Sequence, residues 1–292
     1  MKLLIYYGLC EGEKAIAPLA LHQLLSILSG HEVDILFLDD ATPSQVGERM
    51  AAHFADQIPG KIDVVRLKKS VGARGCIGRV FGVLRWVAQS GRHYDHILRV
   101  DADLHFCRRD LAALFEPGVL PTQGICGQTF TMRPRDFAQV IVDVLPMGFR
   151  RRRAANGKLE HDWQLRRLLP VWWHDFGMLA LLRGFRGQII PGSFIIISGA
   201  MVAAMHAKGW LDRDHERLGL AFGDDTVLAM ATVALGQPMT DARDLLHDWS
   251  CEIFLRPDAS AAEVKANGRY FIHPMKDVPW ANTLREALPL GF

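Results

Sequence analysis

Short apolar runs alternate with helically spaced ones through the first hundred or so residues, and few architectures accommodate that alternation. Leu3–Tyr7, Val33–Leu38, Ile62–Leu67 and His96–Val100 are brief and nearly continuous in apolar character. They read as strands, buried on both faces. Between them apolar residues recur at helical spacing over residues 15–28, 43–54 and 77–89. Gly30 is a stop signal after the first helix, and Thr42 with Pro43 supplies a cap and a first-turn residue for the second. Strands alternating with helices predict an α/β fold, a mostly parallel sheet flanked by helices.

Beyond Asp103 the pattern loosens. A short helix over Leu111–Phe115, a strand over Gly124–Met132 and a helix over Asp136–Leu145 are expected, then a strand over Ile189–Ser198. Helices follow at Ala200–His206 and Asp225–Leu235, with a strand at Tyr270–His273 and a last short helix at Thr283–Leu288. Neither an internal repeat nor a linker interrupts the 292 residues, which predicts a single domain with an elaborated second half.

Composition bounds the partners. Apolar residues make up 49% and charged residues 23%, so the chain can bury a large core and is not a disordered segment. A formal charge of +2 gives no general attraction to nucleic acid. Cys10, Cys76, Cys107, Cys126 and Cys251 are scattered and form no C-x-x-C pair, which suits free thiols in a reducing compartment. The apolar run at Met1–Tyr7 is too short for a signal peptide, and no run reaches the ~20 residues of a membrane span. A cytoplasmic protein is expected. Arg150–Arg153, with Arg166 and Arg167, could meet an anionic acceptor or the inner face of a membrane; a solvated loop is the commoner explanation of such a run.

The sharpest chemical feature is Asp101-Ala102-Asp103 at the end of the fourth strand. Open α/β sheets place their ligands at the carboxyl ends of strands. Two hard oxygen donors there suit Mg²⁺ or Mn²⁺, and such a cation suits a diphosphate. An acidic turn would look the same in isolation. The flanking residues add to it: Tyr94-Asp95-His96-Ile97-Leu98-Arg99-Val100-Asp101-Ala102-Asp103 resembles the D-x-D strand of GT-A glycosyltransferases, which have a Rossmann-like sheet. Leu38-Asp39-Asp40-Ala41-Thr42 is similar to the second-strand end of that fold, and Val71-Gly72-Ala73-Arg74-Gly75 to a segment whose Arg reaches the donor.

The resemblance implies that Asp39, Asp40 and Arg74 contact the nucleotide of a nucleotide-sugar, most simply a UDP-sugar. Asp101 and Asp103 would hold ribose and metal. Residues 1–108 would form the donor half and residues 109–292 the acceptor half. Gly223-Asp224-Asp225-Thr226 resembles the acceptor-site acidic motif of the inverting family that includes cellulose and chitin synthases, with Asp in place of the usual Glu. That likeness makes Asp225 the general base, supported by Asp224, although two carboxylates at a helix start can also be simple caps. Phe271-Ile272-His273-Pro274-Met275-Lys276 looks like the C-terminal segment of glycogenin-like enzymes, which implies His273 as a metal ligand and Lys276 on the diphosphate. Inversion and retention are thus both represented, with inversion favoured.

Trp172, Trp173 and Asp175 offer stacking rings and a carboxylate for an acceptor wall, and aromatic core packing is an equal alternative. The acceptor could be a saccharide, a glycolipid or a protein. A HAD-type phosphohydrolase also uses D-x-D, but after its first strand, and the residue two beyond Asp103 is His105 rather than Thr or Val. A nucleotide-binding partner without turnover is the third possibility.

Overall fold

The computed structural model describes residues 1–72, 75–144, 150–153, 159–162, 171–213, 215, 223–246, 251–253, 263 and 268–273. The expected alternation is present. β1 (Lys2–Leu9), α1 (Ala17–Ile27), β2 (Glu32–Asp39), α2 (Val46–Phe54), β3 (Ile62–Arg66), α3 (Cys76–Gln89) and β4 (His96–Asp101) follow in order. Next come β5 (His105–Phe106), β6 (Ile125–Gly127), β7 (Phe130–Thr131), α4 (Pro134–Val144), β8 (Arg150–Arg153) and β9 (Leu159–Asp162). The remainder is α5 (Val171–Leu182), β10 (Gln188–Ile189), β11 (Phe194–Ser198), α6 (Gly199–Ala207), α7 (Asp224–Ala234), β12 (Met239–Asp241), α8 (Ala242–Leu245), β13 (Cys251–Ile253) and β14 (Phe271–His273).

Seven strands form the main sheet in the order β12-β6-β11-β4-β1-β2-β3. All neighbours are parallel except β11, which runs against both β4 and β6. The sheet crosses the boundary expected after residue 108, because β4 and β11 pair from Phe194↔Val100 to Ser198↔His96. Residues of both halves therefore share one sheet.

Alternation along β1 builds the two layers. Leu3, Ile5, Tyr7 and Leu9 face one way and join α1 and α2, through Leu21, Leu24, Met50 and Phe54. Leu4 and Tyr6 face the other way, against Ile77, Val80, Phe81 and Leu84 of α3. The change of face follows from the strand order. Growth from β1 to β3 moves outward with helices on one side, and the return from β3 to β4 carries α3 over the other side. The crevice between β1 and β4 is where the connections diverge, and it opens at the carboxyl ends of both strands.

α5, α6 and α7 complete the α3 side. Trp173, Phe176, Met201, Val202, Leu228 and Met230 are buried there. Burial of each such side chain stabilises by roughly 1.5–3 kcal/mol.

Several expectations are corrected. Residues 43–45 are not helical, since α2 starts at Val46 after Gln45 at φ 53. Thr42 still caps from a distance, its Oγ1 accepting from Val46 N–H at 2.8 Å. The strand expected over Gly124–Met132 is two, β6 and β7, and that over Ile189–Ser198 is β10 and β11 with Pro191-Gly192 between. The Arg150–Arg153 run is not a loop. It is β8, paired antiparallel with β9 in a register that sets Arg150 opposite Asp162 and Arg152 opposite Glu160. The helix expected at 283–288 lies outside the described residues. No helix among the described residues is long and apolar enough to cross a membrane.

Gly124 is required by geometry. Its φ is +76, and a Cβ there would overlap the Pro238 carbonyl where β6 meets β12. Gly118 has φ +85 with open space around it. Chemical denaturation should therefore show Gly124→Ala costing about 3 kcal/mol or more, against about 1 kcal/mol for Gly118→Ala. Equal losses would show that backbone strain alone, without the steric overlap, sets the cost.

Candidate functional site

β4 is hydrogen-bonded on both sides and buried over His96–Val100, so its end is a fixed platform. Gly8 of β1 lies beside Asp101, and Asp101 N–H donates to Ser193 O at 3.0 Å. A tight turn follows, with Leu104 N–H donating to Asp101 O at 3.3 Å, and β5 begins at His105. β14 adds to β5 antiparallel, pairing Phe271↔Phe106 and Ile272↔His105. Continuing that register sets His273 against the turn that carries Asp103.

The result is a compact donor set. His273 Nε2 lies 3.1 Å from Asp103 Oδ1 and 3.4 Å from Asp101 Oδ2. Ligand atoms of Asp101, Asp103 and His273 all fall within 4.8 Å of one another. The Asp103 side chain is 1% exposed. The two carboxylates repel one another where Asp103 is shut off from water, and a cation between them, a metal ion or a protonated His273, relieves that repulsion. Their oxygen-rich chemistry fits Mn²⁺ or Mg²⁺. Nε2 is the His273 nitrogen turned toward both carboxylates.

Arg99 links this set to the acidic motif of the second half. Its side chain is 10% exposed, and Nη2 lies 2.7 Å from Asp224 Oδ2 and 3.6 Å from Asp101 Oδ1. A Cβ at position 192 would overlap this guanidinium, so Gly192 leaves the space in which it lies. Burial works against the charge on Arg99, but Asp224 and Asp101 outweigh it and hold the group protonated. Burial pushes the Asp101 carboxyl up from its ordinary value, with Arg99 and His273 opposing. Asp225 is also pushed up, first by burial and then by the neighbouring Asp224. Its Oδ1 accepts from Thr226 N–H at 2.7 Å at the start of α7.

A cleft of about 60 Å³ opens between β1, β4 and the first turn of α3, lined by Tyr6, Cys10, Cys76, Arg79, Arg99 and Asp101 among others. That space suits a few waters or one small polar group; whole ligand pockets run to about 300 Å³ or more. Arg79 is fixed in its wall, with Nη2 3.0 Å from Cys76 Sγ and Nη1 3.6 Å from Asp40 Oδ2.

Sequence reasoning placed Asp101, Asp103, His273, Asp224 and Asp225 on these elements, and the fold brings them to one end of the sheet. It misjudged Asp39 and Asp40. Asp39 is fully buried; its oxygens accept from Thr42 N–H at 2.6 Å, Thr42 Oγ1–H at 2.7 Å and Gly47 N–H at 2.9 Å. Asp40 accepts from Val71 N–H at 2.9 Å and Ser70 Oγ–H at 2.9 Å, pinning the loop before α3. Both carboxylates organise the chain and are not open to a nucleotide.

Trp173 is likewise corrected as an acceptor residue, being fully buried beside Phe176 with ring centroids 5.3 Å apart. Trp172 packs edge-on to His215 at 5.3 Å, and only Asp175 of that group is exposed. Arg74 and Lys276 lie outside the described residues. Arg99 and Arg79 were missed. The available signal was Arg99 itself, a cation inside the apolar strand Ile97-Leu98-Arg99-Val100.

No family model matches the chain, and no curated protein matches it. Solved structures do. Over 99% of its length the chain is similar to 49% of the bifunctional glycosyltransferase WbbM in its apo form, at 12% identity and a TM-score of 0.48. Over 83% it is similar to 73% of core-mannan synthase A from Aspergillus fumigatus in a Mn/GDP form, at 11% identity and 0.44. Over 83% it is also similar to 68% of the mannosyltransferase Ktr4p from S. cerevisiae, at 11% identity and 0.44. The chain spans about half the length of the first of these. Similarities this distant assign neither activity nor ligand to it.

Removing one partner of a buried ion pair leaves the other charge stranded. Arg99→Met should therefore cost about 3–5 kcal/mol in urea unfolding, and adding Asp224→Leu should recover a large part of it. A double variant no more stable than Arg99→Met would show that the two residues are not energetically coupled.

Proposed function

We propose that this chain is a metal-dependent glycosyltransferase that moves a sugar from a nucleotide-sugar to an acceptor, with inversion. One observation carries the reading: Asp101, Asp103 and His273, from distant parts of the sequence, converge at the crevice between β1 and β4. That crevice is where open α/β sheets bind ligands. The sequence likeness to GT-A enzymes agrees with it and makes UDP the first nucleotide to test.

Asp101, Asp103 and His273 would hold Mn²⁺ or Mg²⁺. When bound, the cation neutralises the diphosphate and stabilises charge on the leaving oxygen. The donor lies on residues 1–108, with Arg79 and the positive end of α3 near its phosphates. The acceptor (a saccharide, glycolipid or protein) approaches from residues 109–292. Asp225 takes the proton of the attacking hydroxyl, and Asp224, anchored by Arg99, fixes the helix start from which Asp225 projects. A carboxylate raised by burial is a stronger base once ionised, which suits this task. The protein acts in the cytoplasm, with membrane contact through the Arg150–Arg153 strand as a subsidiary element of the proposal.

Calorimetric titration of UDP and GDP with Mn²⁺ tests the donor half. Wild type should bind one of them, and chelator, Asp103→Asn or His273→Ala should each weaken that binding by roughly 100-fold, about 2.7 kcal/mol. Nucleotide binding indifferent to metal and to Asp103 sinks the proposal.

The base assignment has its own signature. Because the Asp225 carboxyl is raised, it takes up its proton at a higher pH than an ordinary Asp. The transfer rate should fall as pH is lowered through that value, and Asp225→Asn should lose about 10²–10⁴-fold in kcat. A kcat unchanged in Asp225→Asn would assign the base elsewhere.

A further inference from the structure

Two thiols share one guanidinium in the wall of the cleft. Cys10 follows the carboxyl end of β1, and Cys76 is the first residue of α3, so they stand on two of its sides. Arg79 reaches both: Nη1 lies 3.8 Å from Cys10 Sγ, and Nη2 lies 3.0 Å from Cys76 Sγ. The sulfurs, distant in sequence, are gathered at the two arms of a single planar group.

Exposure sets this pair apart. Cys10 and Cys76 are half-buried and line the cleft, whereas Cys107 and Cys126 are 0% and 1% exposed. Reactive thiols occupy partly exposed, electropositive settings, and inert ones lie sealed in apolar cores. Burial works against the charge on Arg79, but Cys76 leads the groups that outweigh it and keep the guanidinium protonated. Burial pushes the Cys10 thiol up, with Glu13 adding to it and Arg79 opposing. Cys76 is thus the sulfur closer to the cation, and Cys10 is the one that keeps its proton. The cleft, at about 60 Å³, has space for a few waters, and hydrogen peroxide has the bulk of about two.

We propose that Cys10 and Cys76 form a peroxide-sensitive dithiol whose oxidation to a disulfide closes the cleft. The Cys76 sulfur attacks one peroxide oxygen; the O–O bond breaks, and the other oxygen leaves as water with the thiol proton. The Cys10 sulfur then attacks the sulfenic sulfur; the S–O bond breaks, and a second water carries off the Cys10 proton. The two thiols lose two electrons in all, one peroxide becomes two waters, and a thiol reductant reverses the change. Bonded sulfurs lie about 2 Å apart, so closure draws the end of β1 toward the first turn of α3 and displaces the Arg79 arms from both. A disulfide made and broken in this way senses redox state and is not a structural staple. The bond itself is independent of the transferase reading, and its effect on nucleotide binding rests on that reading.

The test exposes reduced wild type, Cys10→Ser and Cys76→Ser to hydrogen peroxide, removes the oxidant with catalase, and maps the thiols by peptide mass spectrometry. Wild type should yield a peptide that joins Cys10 to Cys76, lighter by two hydrogens and separated by dithiothreitol. Cys10→Ser should hold Cys76 as a sulfenic acid that reacts with dimedone, and Cys76→Ser should stay reduced at Cys10. Titration of UDP and GDP with Mn²⁺ should show binding weakened about tenfold or more in oxidised wild type, and restored on reduction. Cys76→Ser should bind equally before and after peroxide. Thiols that both stay free in wild type, or that link to other cysteines, overturn the proposal. A Cys10–Cys76 bond that leaves nucleotide binding undiminished overturns closure of the cleft. Reduced wild type that binds no nucleotide sinks the transferase reading, while the mapped cross-link still decides the dithiol.

Discussion

A guanidinium buried on the central strand sets terms that the surrounding structure has to meet. Arg99 faces the α3 layer from the middle of β4, where its neighbours along the strand are apolar. An unpaired charge in such a place costs several kcal/mol. Asp224 matches it from the first turn of α7, and Asp101 from the end of the same strand. The ion pair ties the start of α7 to the central sheet, while Arg183 donates to Ala234 O at 2.7 Å at the helix's other end. It also fixes the spacing between two acidic clusters that would otherwise depend on loops.

The site has an unequal construction. Asp101 and Asp103 stand on a strand with partners on both sides, so their positions are set by the most rigid part of the molecule. His273 arrives on β14, the middle strand of a small sheet between β13 and the two-residue β5. Phe106, Phe194 and Phe271 reinforce that junction, with ring centroids 5.0–6.3 Å apart. Aromatic packing thus adds to the backbone pairing of strands only two or three residues long.

What the sequence disclosed follows from which forces are local. β1, β2 and β4 were legible within a few residues because burial on both faces writes itself as continuous apolar runs, whereas β3, at the sheet edge, is only half-buried. Asp101 and Asp103 were legible as candidates because the carboxyl ends of parallel strands are where open α/β sheets place ligands. Asp39 and Asp40 looked equivalent to them, yet a carboxylate that captures nearby N–H groups cannot be told from a ligand-binding one without the path of the chain. Here Ala41 and Gln45 both take positive φ, at 54 and 53, and that path turns the backbone amides onto Asp39. Trp173 shows a related limit, because α5 is apolar nearly all round and no polar face reveals which rings point inward. Arg99 was visible as a residue but silent as a partner, since Asp224 lies more than a hundred positions away.

The distance in sequence between the carboxylates and the imidazole has a consequence for biogenesis. A chain made from its N-terminus exposes β1 to β4 first, and parallel units of that kind can form while synthesis continues. β4 then lacks β11 until residues near 198 have emerged, and Asp103 lacks His273 until residues near 273 have. The nascent sheet has an open edge for the first of these intervals, and the set of candidate metal ligands stays incomplete through both. On the proposed reading, capture of a cation is therefore a late event in the life of each molecule, and the donor set closes only after the scaffold beneath it is already built.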